Sequence, residues 1–327
     1  MALKKAIPGM SFLGPSRFRS PGPSPALAIA AAVFALALLS SASAAEASGM
    51  VKGGEASSEA SGEVTVGGIR LYYEISGEGE PLLLIMGLGG HVLDWGWVLP
   101  ERLAEGRSVI AFDNRGSGRS EQPPGPYSIE EMAEDAVGLL DALEIERADV
   151  FGVSMGGMIA QEMAVRHPER IGRLILGATS PGGAASVSAP PEDQAYLEPR
   201  LDLSLHEALW WSAPAGYPQE FIDAHPEIVE RKVQANMAHP SSLEAYRAQL
   251  AAYRAFDIGG RLAEIWAPTL VIAGDSDILI PPENGLILAE KIPGAELRII
   301  EGAGHLFWIS HPEETVVAVV EFLGEGG

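Results

Sequence analysis

A chain of 327 residues, 47% of them hydrophobic, is long enough for one large domain with a sizeable core. With 44 acidic against 22 basic side chains it carries a net charge of −22, which repels nucleic acid and anionic membrane surfaces. It contains no Cys, which excludes disulfides, a thiol nucleophile and lipid attachment through cysteine. Up to Ala45 the charge is carried by Lys4, Lys5, Arg17 and Arg19 alone, and Ala26 to Leu39 is an uninterrupted apolar run ahead of Ala42-Ser43-Ala44. Residues 1–45 therefore read as a signal peptide with cleavage near Ala44, which implies export to the periplasm or medium. The alternatives are an uncleaved anchor over residues 25–45, or a cytosolic enzyme whose start codon is mis-called. Residues 46–62, rich in Ala, Ser, Gly and Glu, read as a disordered linker, and a single domain is expected over 63–327.

The domain opens on two strand-like runs, Glu63 to Val66 and Ile69 to Tyr73, flanking the hairpin dipeptide Gly67-Gly68. Apolar strands follow at Leu82 to Met86, Val109 to Phe112, Asp149 to Phe151, Leu174 to Leu176, Leu270 to Ala273 and Leu297 to Ile300. Helical stretches such as Ser128 to Leu143 separate them, so the chain predicts an α/β fold with a mostly parallel sheet covered on both faces. The alternation breaks between Pro181 and Pro268, a segment with helical patches and the aromatics Trp210, Trp211, Tyr217, Phe221, Tyr246, Tyr253 and Phe256. Some of these could line an apolar substrate pocket, and at least half are expected to be packing.

Gly152-Val153-Ser154-Met155-Gly156 lies between a strand and a helix. A serine at so tight a turn occupies a sparsely populated backbone conformation, and residues two positions either side crowd it unless they lack a Cβ. The turn would lift Ser154 Oγ above the sheet and aim the Met155 N–H at a bound carbonyl. Acids follow at Asp275 and Asp277 after one strand, then His305 in the glycine-flanked Gly302-Ala303-Gly304-His305 after another. Of the other histidines, His167, His225, His239 and His311 each precede a proline and His206 lies in the inserted segment, which leaves His91 and His305 in loops above the sheet.

Ser, then Asp, then His is the chain order of the α/β-hydrolase superfamily, which the sequence resembles from about Gly62 onward. Phe112-Asp113-Asn114-Arg115-Gly116-Ser117-Gly118-Arg119-Ser120 is similar to that family's D-x-R-G-x-G-x-S loop, and Gly274 to Pro281 to its G-x-x-D-x-x-x-P loop. Met86-Gly87 and the run Gly152 to Gly157 look most like the aclacinomycin methylesterase and 3-oxoadipate enol-lactonase group. The resemblance implies an eight-stranded sheet and a helical cap at about 181–267. It favours Asp277 over Asp275 as the acid that orients His305, and it places the second oxyanion donor at the Leu88 amide.

The commoner His-Gly dipeptide of the oxyanion loop is Met86-Gly87 here, so a bracing side chain is missing. His91 is a substitute brace, a substrate contact or a solvent-facing loop residue; His91, Trp210 and Trp211 are the candidate substrate contacts. Asp113 and Arg115 read as turn-holding rather than catalytic. The implied activity is a serine hydrolase acting on a small carboxylic ester or lactone through an acyl-enzyme, with no metal or cofactor. No P-loop, HExxH or GxGxxG pattern is present. Nucleic-acid partners are not expected, nor a membrane partner unless the N-terminal segment is an anchor, and oligomeric state is not legible. Alternatives are an acyltransferase, a haloperoxidase-type side activity on the same triad, or a non-catalytic ligand receptor on this fold.

Overall fold

The computed structural model describes residues 60–324. The expected signal segment 1–45 and linker residues 46–59 lie outside them. Ala60–Gly62, the end of the expected linker, are instead the start of the first strand.

The strands are β1 (Ala60–Val66), β2 (Ile69–Ser76), β3 (Glu80–Ile85), β4 (Arg107–Phe112), β5 (Ala148–Val153), β6 (Ile171–Gly177), β7 (Thr269–Gly274) and β8 (Glu296–Ile300). They form one eight-stranded sheet in the order β1-β2-β4-β3-β5-β6-β7-β8. Gly67 and Gly68 take φ of 56° and 88°, values that suit the tight turn pairing β1 antiparallel with β2. β2 pairs antiparallel with β4, and every pairing from β4 to β8 is parallel.

The central strands are apolar on both faces because both are covered. On β3, Leu83 and Ile85 join one core cluster while Leu82 and Leu84 join the other, the two-residue period of a strand. Helices α1 (Leu99–Ala104), α2 (Ile129–Ala142) and α3 (Met155–Arg166) fill the first crossovers. Ser128 caps α2 by accepting from the Glu131 amide, and the Glu131 carboxylate returns to the Ser128 N–H. Met132 from α2 and Ile159 from α3 pack on one face of the sheet, and Leu99 from α1 on the other.

Between β6 and β7 the chain forms α4 (Pro191–Gln194), α5 (Leu205–Trp211), α6 (Ala213–Gly216), α7 (Gln219–Ala224), α8 (Pro226–Ala238) and α9 (Leu243–Ala255). This segment is pinned at its neck by a bridge between Gly182 and Asp257 and by Ile258 N–H donating to Pro181 O at 3.0 Å. The neck closes before the expected residue 267, since Leu262 and Ile265 already belong to the core. After β7 come α10 (Glu283–Lys291), α11 (Phe307–Ser310) and α12 (Pro312–Gly324). Among the described residues no helix is long and apolar enough to cross a membrane.

The strand order fixes where a site can form. From β3 the chain goes outward to β4, then returns to the other side of β3 as β5, so the loops leaving β3 and β5 part in opposite directions and open a crevice. Those loops are Met86–Gly90 and the turn at Ser154.

The turn tolerates no extra atom. A Cβ at Gly156 would sit 2.0 Å from Ile85 O, and one at Gly152 would sit 2.3 Å from Gly156 O. Gly156→Ala is expected to lower unfolding free energy by about 3 kcal/mol or more, read by urea titration, because backbone rather than a movable side chain blocks the methyl. An unchanged midpoint would contradict this packing.

Candidate active site

Ser154 stands between β5 and α3 with φ 55° and ψ −123°, a conformation that costs a non-glycine residue about 1–3 kcal/mol. Its surroundings hold it there. The Ser154 N–H donates to Gly177 O at 2.8 Å, and its carbonyl accepts from Thr179 Oγ1 at 2.7 Å and from Gly157 N–H at 2.9 Å. Met155 begins α3, so its N–H is one of the first-turn amides that a helix leaves without an internal acceptor.

The loops after β7 and β8 converge on the same place. Asp277 is 4% exposed and its Oδ2 lies 2.7 Å from Nδ1 of His305, itself 6% exposed. The other oxygen, Oδ1, accepts from the Leu279 and Ile280 amides, both at 2.9 Å, which locks the carboxylate in one orientation. An ionised carboxylate only accepts, so Nδ1 is the donor in this contact. Asp275 serves differently: its exposed Oδ1 accepts from Gly302 N–H at 2.8 Å and from Ser276 Oγ at 2.9 Å, bracing the histidine loop without touching the imidazole.

Ser154 and His305 line one cavity of about 570 Å³ between the crevice and the inserted helices. Of the seven aromatics expected in the insertion, Trp211, Tyr217 and Tyr246 line it. Trp210 does not, which corrects its place among the candidate substrate contacts. Its indole Nε1 turns away to donate to Glu230 Oε2 at 2.6 Å. Trp211 packs 4.9 Å from the Tyr196 ring and lies beneath the Arg200 guanidinium at 4.7 Å.

His91 is also corrected. It is 1% exposed and lies outside the cavity lining, because a single 3₁₀ turn at Val92–Trp95 directs the ring inward toward His239, 6.0 Å away between centroids. Among the described residues neither ring nitrogen has a hydrogen-bond partner, and Nε2 lies 4.0 Å from Asp94 Oδ2.

The loop Met86–Gly90 is braced by three residues that sequence reading passed over. Asn114 Nδ2 donates to Met86 O at 2.8 Å. Gln249, fully buried on α9, accepts from Gly89 N–H at 2.8 Å while its Nε2 donates to Arg115 O and to Ser117 Oγ. Asp94 Oδ2 accepts from His91 N–H at 2.8 Å, and Asp94 Oδ1 holds Lys232 Nζ at 2.7 Å together with the Asn236 amide. Burial alone would raise the Asp94 pKa, but the Lys232 charge beside it brings the carboxyl below its usual range. Gly90 N–H donates to Gly87 O and Gly89 N–H to Gln249 Oε1, so both of these turn amides are engaged.

Asp113 and Arg115 hold turns. Asp113 accepts from the Val92 and Arg119 amides, both at 2.7 Å, and Arg115 forks onto Asp135 at 2.5 and 2.8 Å.

Comparisons with known proteins agree with this architecture. The family model described as alpha/beta hydrolase fold matches residues 80–312. The 2-hydroxymuconate semialdehyde hydrolase of Pseudomonas sp. (strain CF600) is 37% identical over 289 residues, which covers 82% of this chain and 95% of that protein. The structure of a hydrolase from Pseudomonas aeruginosa PA01 superposes with a TM-score of 0.72 at 31% identity, covering 81% of this chain and 99% of its own. The enol-lactonase from Burkholderia xenovorans LB400 gives a TM-score of 0.71 at 29% identity, covering 81% of this chain and all of its own.

Replacing Gln249 tests the brace. Gln249→Leu leaves the Gly89 N–H, the Arg115 carbonyl and the Ser117 hydroxyl without their partner, each at about 1–3 kcal/mol when buried. A stability loss of about 3 kcal/mol in urea is expected, with a fall in turnover as the Leu88 loop loosens. Wild-type stability and turnover in the variant would show that Gln249 braces nothing.

Proposed function

Since the chain belongs to the α/β-hydrolase family, we propose that it is a serine hydrolase cleaving a small carboxylic ester or lactone, with Ser154 as nucleophile, His305 as general base and Asp277 as the orienting acid. Ser154 Oγ attacks the carbonyl carbon while its proton passes to His305 Nε2. The carbonyl oxygen becomes an oxyanion that accepts from the Leu88 and Met155 amides, fixed dipoles that need no reorganisation as charge develops. His305 then gives the proton to the departing alkoxide as the C–O bond breaks, which leaves an acyl-enzyme. Water attacks that ester with His305 again as base, and the product acid leaves with Ser154 restored. Asp277 keeps the proton on Nδ1 and stabilises the imidazolium formed in both halves.

The observation that carries this reading is the 2.7 Å contact between His305 Nδ1 and Asp277 Oδ2 at the wall of a cavity that Ser154 shares. The apolar insertion around that cavity supports an organic substrate rather than a highly charged one. Lactone opening is supported by the likeness to the Burkholderia xenovorans enol-lactonase. In this account the segment between β6 and β7 selects the substrate, and the loops of the sheet carry the chemistry.

Purified protein is expected to hydrolyse short-chain nitrophenyl esters or simple lactones and to be labelled once by a serine-directed phosphonate. Ser154→Ala is expected to lower kcat by about 10⁴ or more and to abolish the label. Labelling that persists in the variant, or turnover near wild type, would remove Ser154 from its role.

A further inference from the structure

The charged side chains in the cavity wall are Asp94, Glu198, Arg200, Lys232 and His305, and each already has a partner in the protein. Lys232 meets Asp94 at 2.7 Å, Arg200 meets Asp202 at 2.7 Å, Glu198 meets Arg254 at 2.5 Å and His305 meets Asp277 at 2.7 Å. Several uncharged polar groups of the wall are committed as well. Tyr246 gives its hydroxyl to Leu197 O at 3.0 Å, Ser212 its hydroxyl to Leu209 O at 2.9 Å, and Trp308 its indole N–H to Asp94 O at 3.0 Å. Among the described residues a substrate carboxylate would meet no unpaired cation in this lining, and it would shed its hydration near Asp94 or Glu198. What the wall offers instead is hydrocarbon.

That hydrocarbon continues to the surface. Leu201, just before α5, Leu205, its first residue, and Leu243, the first residue of α9, are 68%, 46% and 38% exposed, yet they line the same cavity as Ser154. Leucines scattered singly over a surface are ordinary, but three from two separate segments in one cavity lining mark an apolar opening. An apolar chain passing between them removes both itself and the leucines from water. Its length follows from the volume. About 570 Å³ holds on the order of nineteen groups of about 30 Å³, a water-sized share, so an ester function with a small partner leaves room for about ten chain carbons.

We propose that the cavity binds a flexible hydrocarbon chain of about ten carbons, reaching from the ester at Ser154 to the rim of Leu201, Leu205 and Leu243, so that the preferred substrate is an uncharged medium-chain ester or lactone. The proposal rests on the hydrolase reading given above and adds the substrate class to it.

Two series of esters test it, each kept below its aggregation limit: nitrophenyl acetate through nitrophenyl tetradecanoate, and ethyl acetate through tetradecyl acetate. In one series kcat/KM is expected to rise about 3- to 4-fold per methylene, the equivalent of about 0.8 kcal/mol, and to level off at about ten carbons, where the chain meets solvent. The series that rises assigns the chain to the acyl or the alcohol side. A terminal carboxylate on the hexyl-length member of that series is expected to cost about 100-fold or more in kcat/KM. Ala208, half-buried on α5, also lines the cavity, and Ala208→Phe is expected to move the plateau to shorter chains, a shift that a loss of stability does not produce. Replacing Leu201 and Leu205 together by Ser is expected to lower the ratio of decyl-length to acetate turnover by about 10-fold. A flat or falling kcat/KM beyond butyl length in both series overturns the proposal. So does equal turnover of the carboxylate and its parent, or a plateau that Ala208→Phe leaves in place. Calorimetric binding of methyl alkyl ketones of the same lengths to Ser154→Ala separates this proposal from the reading beneath it. If the wild type cleaves no ester while affinity still grows with each methylene, the chain site stands and the hydrolase reading fails; affinity independent of length removes the chain site.

Discussion

The hydrogen bond between Asp277 Oδ2 and His305 Nδ1 is the constraint on which the site depends. An imidazole is useful as a base only while one nitrogen holds a proton and the other offers a lone pair in a fixed direction. Asp277 supplies both conditions because its second oxygen is tied to the Leu279 and Ile280 amides and cannot swing away. The strand order then matters. β7 and β8 are parallel neighbours, so the loops carrying Asp277 and His305 leave the sheet from the same edge, side by side. Ser154 leaves from β5 at that edge too, held by Gly177 of β6.

The loop Met86–Gly90 is positioned by buried polar contacts rather than by apolar packing. Asn114, Gln249 and Asp94 come from three separate parts of the chain and converge on Met86–His91. Such contacts are costly when half made, and they define one loop geometry when complete. Two of them reach into the inserted helices: Gln249 lies on α9, and Lys232 on α8 holds Asp94. The segment that covers the cavity is therefore bolted to the loop that would receive the oxyanion. A change of substrate-facing residues on α8 or α9 can in this way alter turnover as well as affinity.

The sheet was legible from sequence because its strands are continuous apolar runs and its helices are spaced crossovers. The turn at Ser154 was legible because two glycines have no other use there than to let backbones touch. What failed was anything that depends on which way a side chain faces. Asp275 and Asp277 sit two residues apart, and spacing alone could not say which meets the imidazole; the family pattern favoured Asp277. Trp210 and Trp211 are consecutive on a helix, about 100° apart, so they point in different directions, and the sequence did not say which meets the cavity. His91 read as a loop residue above the sheet, yet a single turn buries it. Gln249 and Lys232 carry no signal in the sequence, because their partners are more than a hundred residues distant in the chain.

The central claim is that Asp277, and not its neighbour, governs the base. The measurement is kcat for Asp277→Asn and Asp275→Asn on one activated ester, with folding checked by urea titration. Loss of the correct tautomer predicts a fall of about 10⁴ for Asp277→Asn, against a loss within about tenfold for Asp275→Asn, which loosens a surface turn. Equal losses, or a larger one at Asp275, would contradict the account.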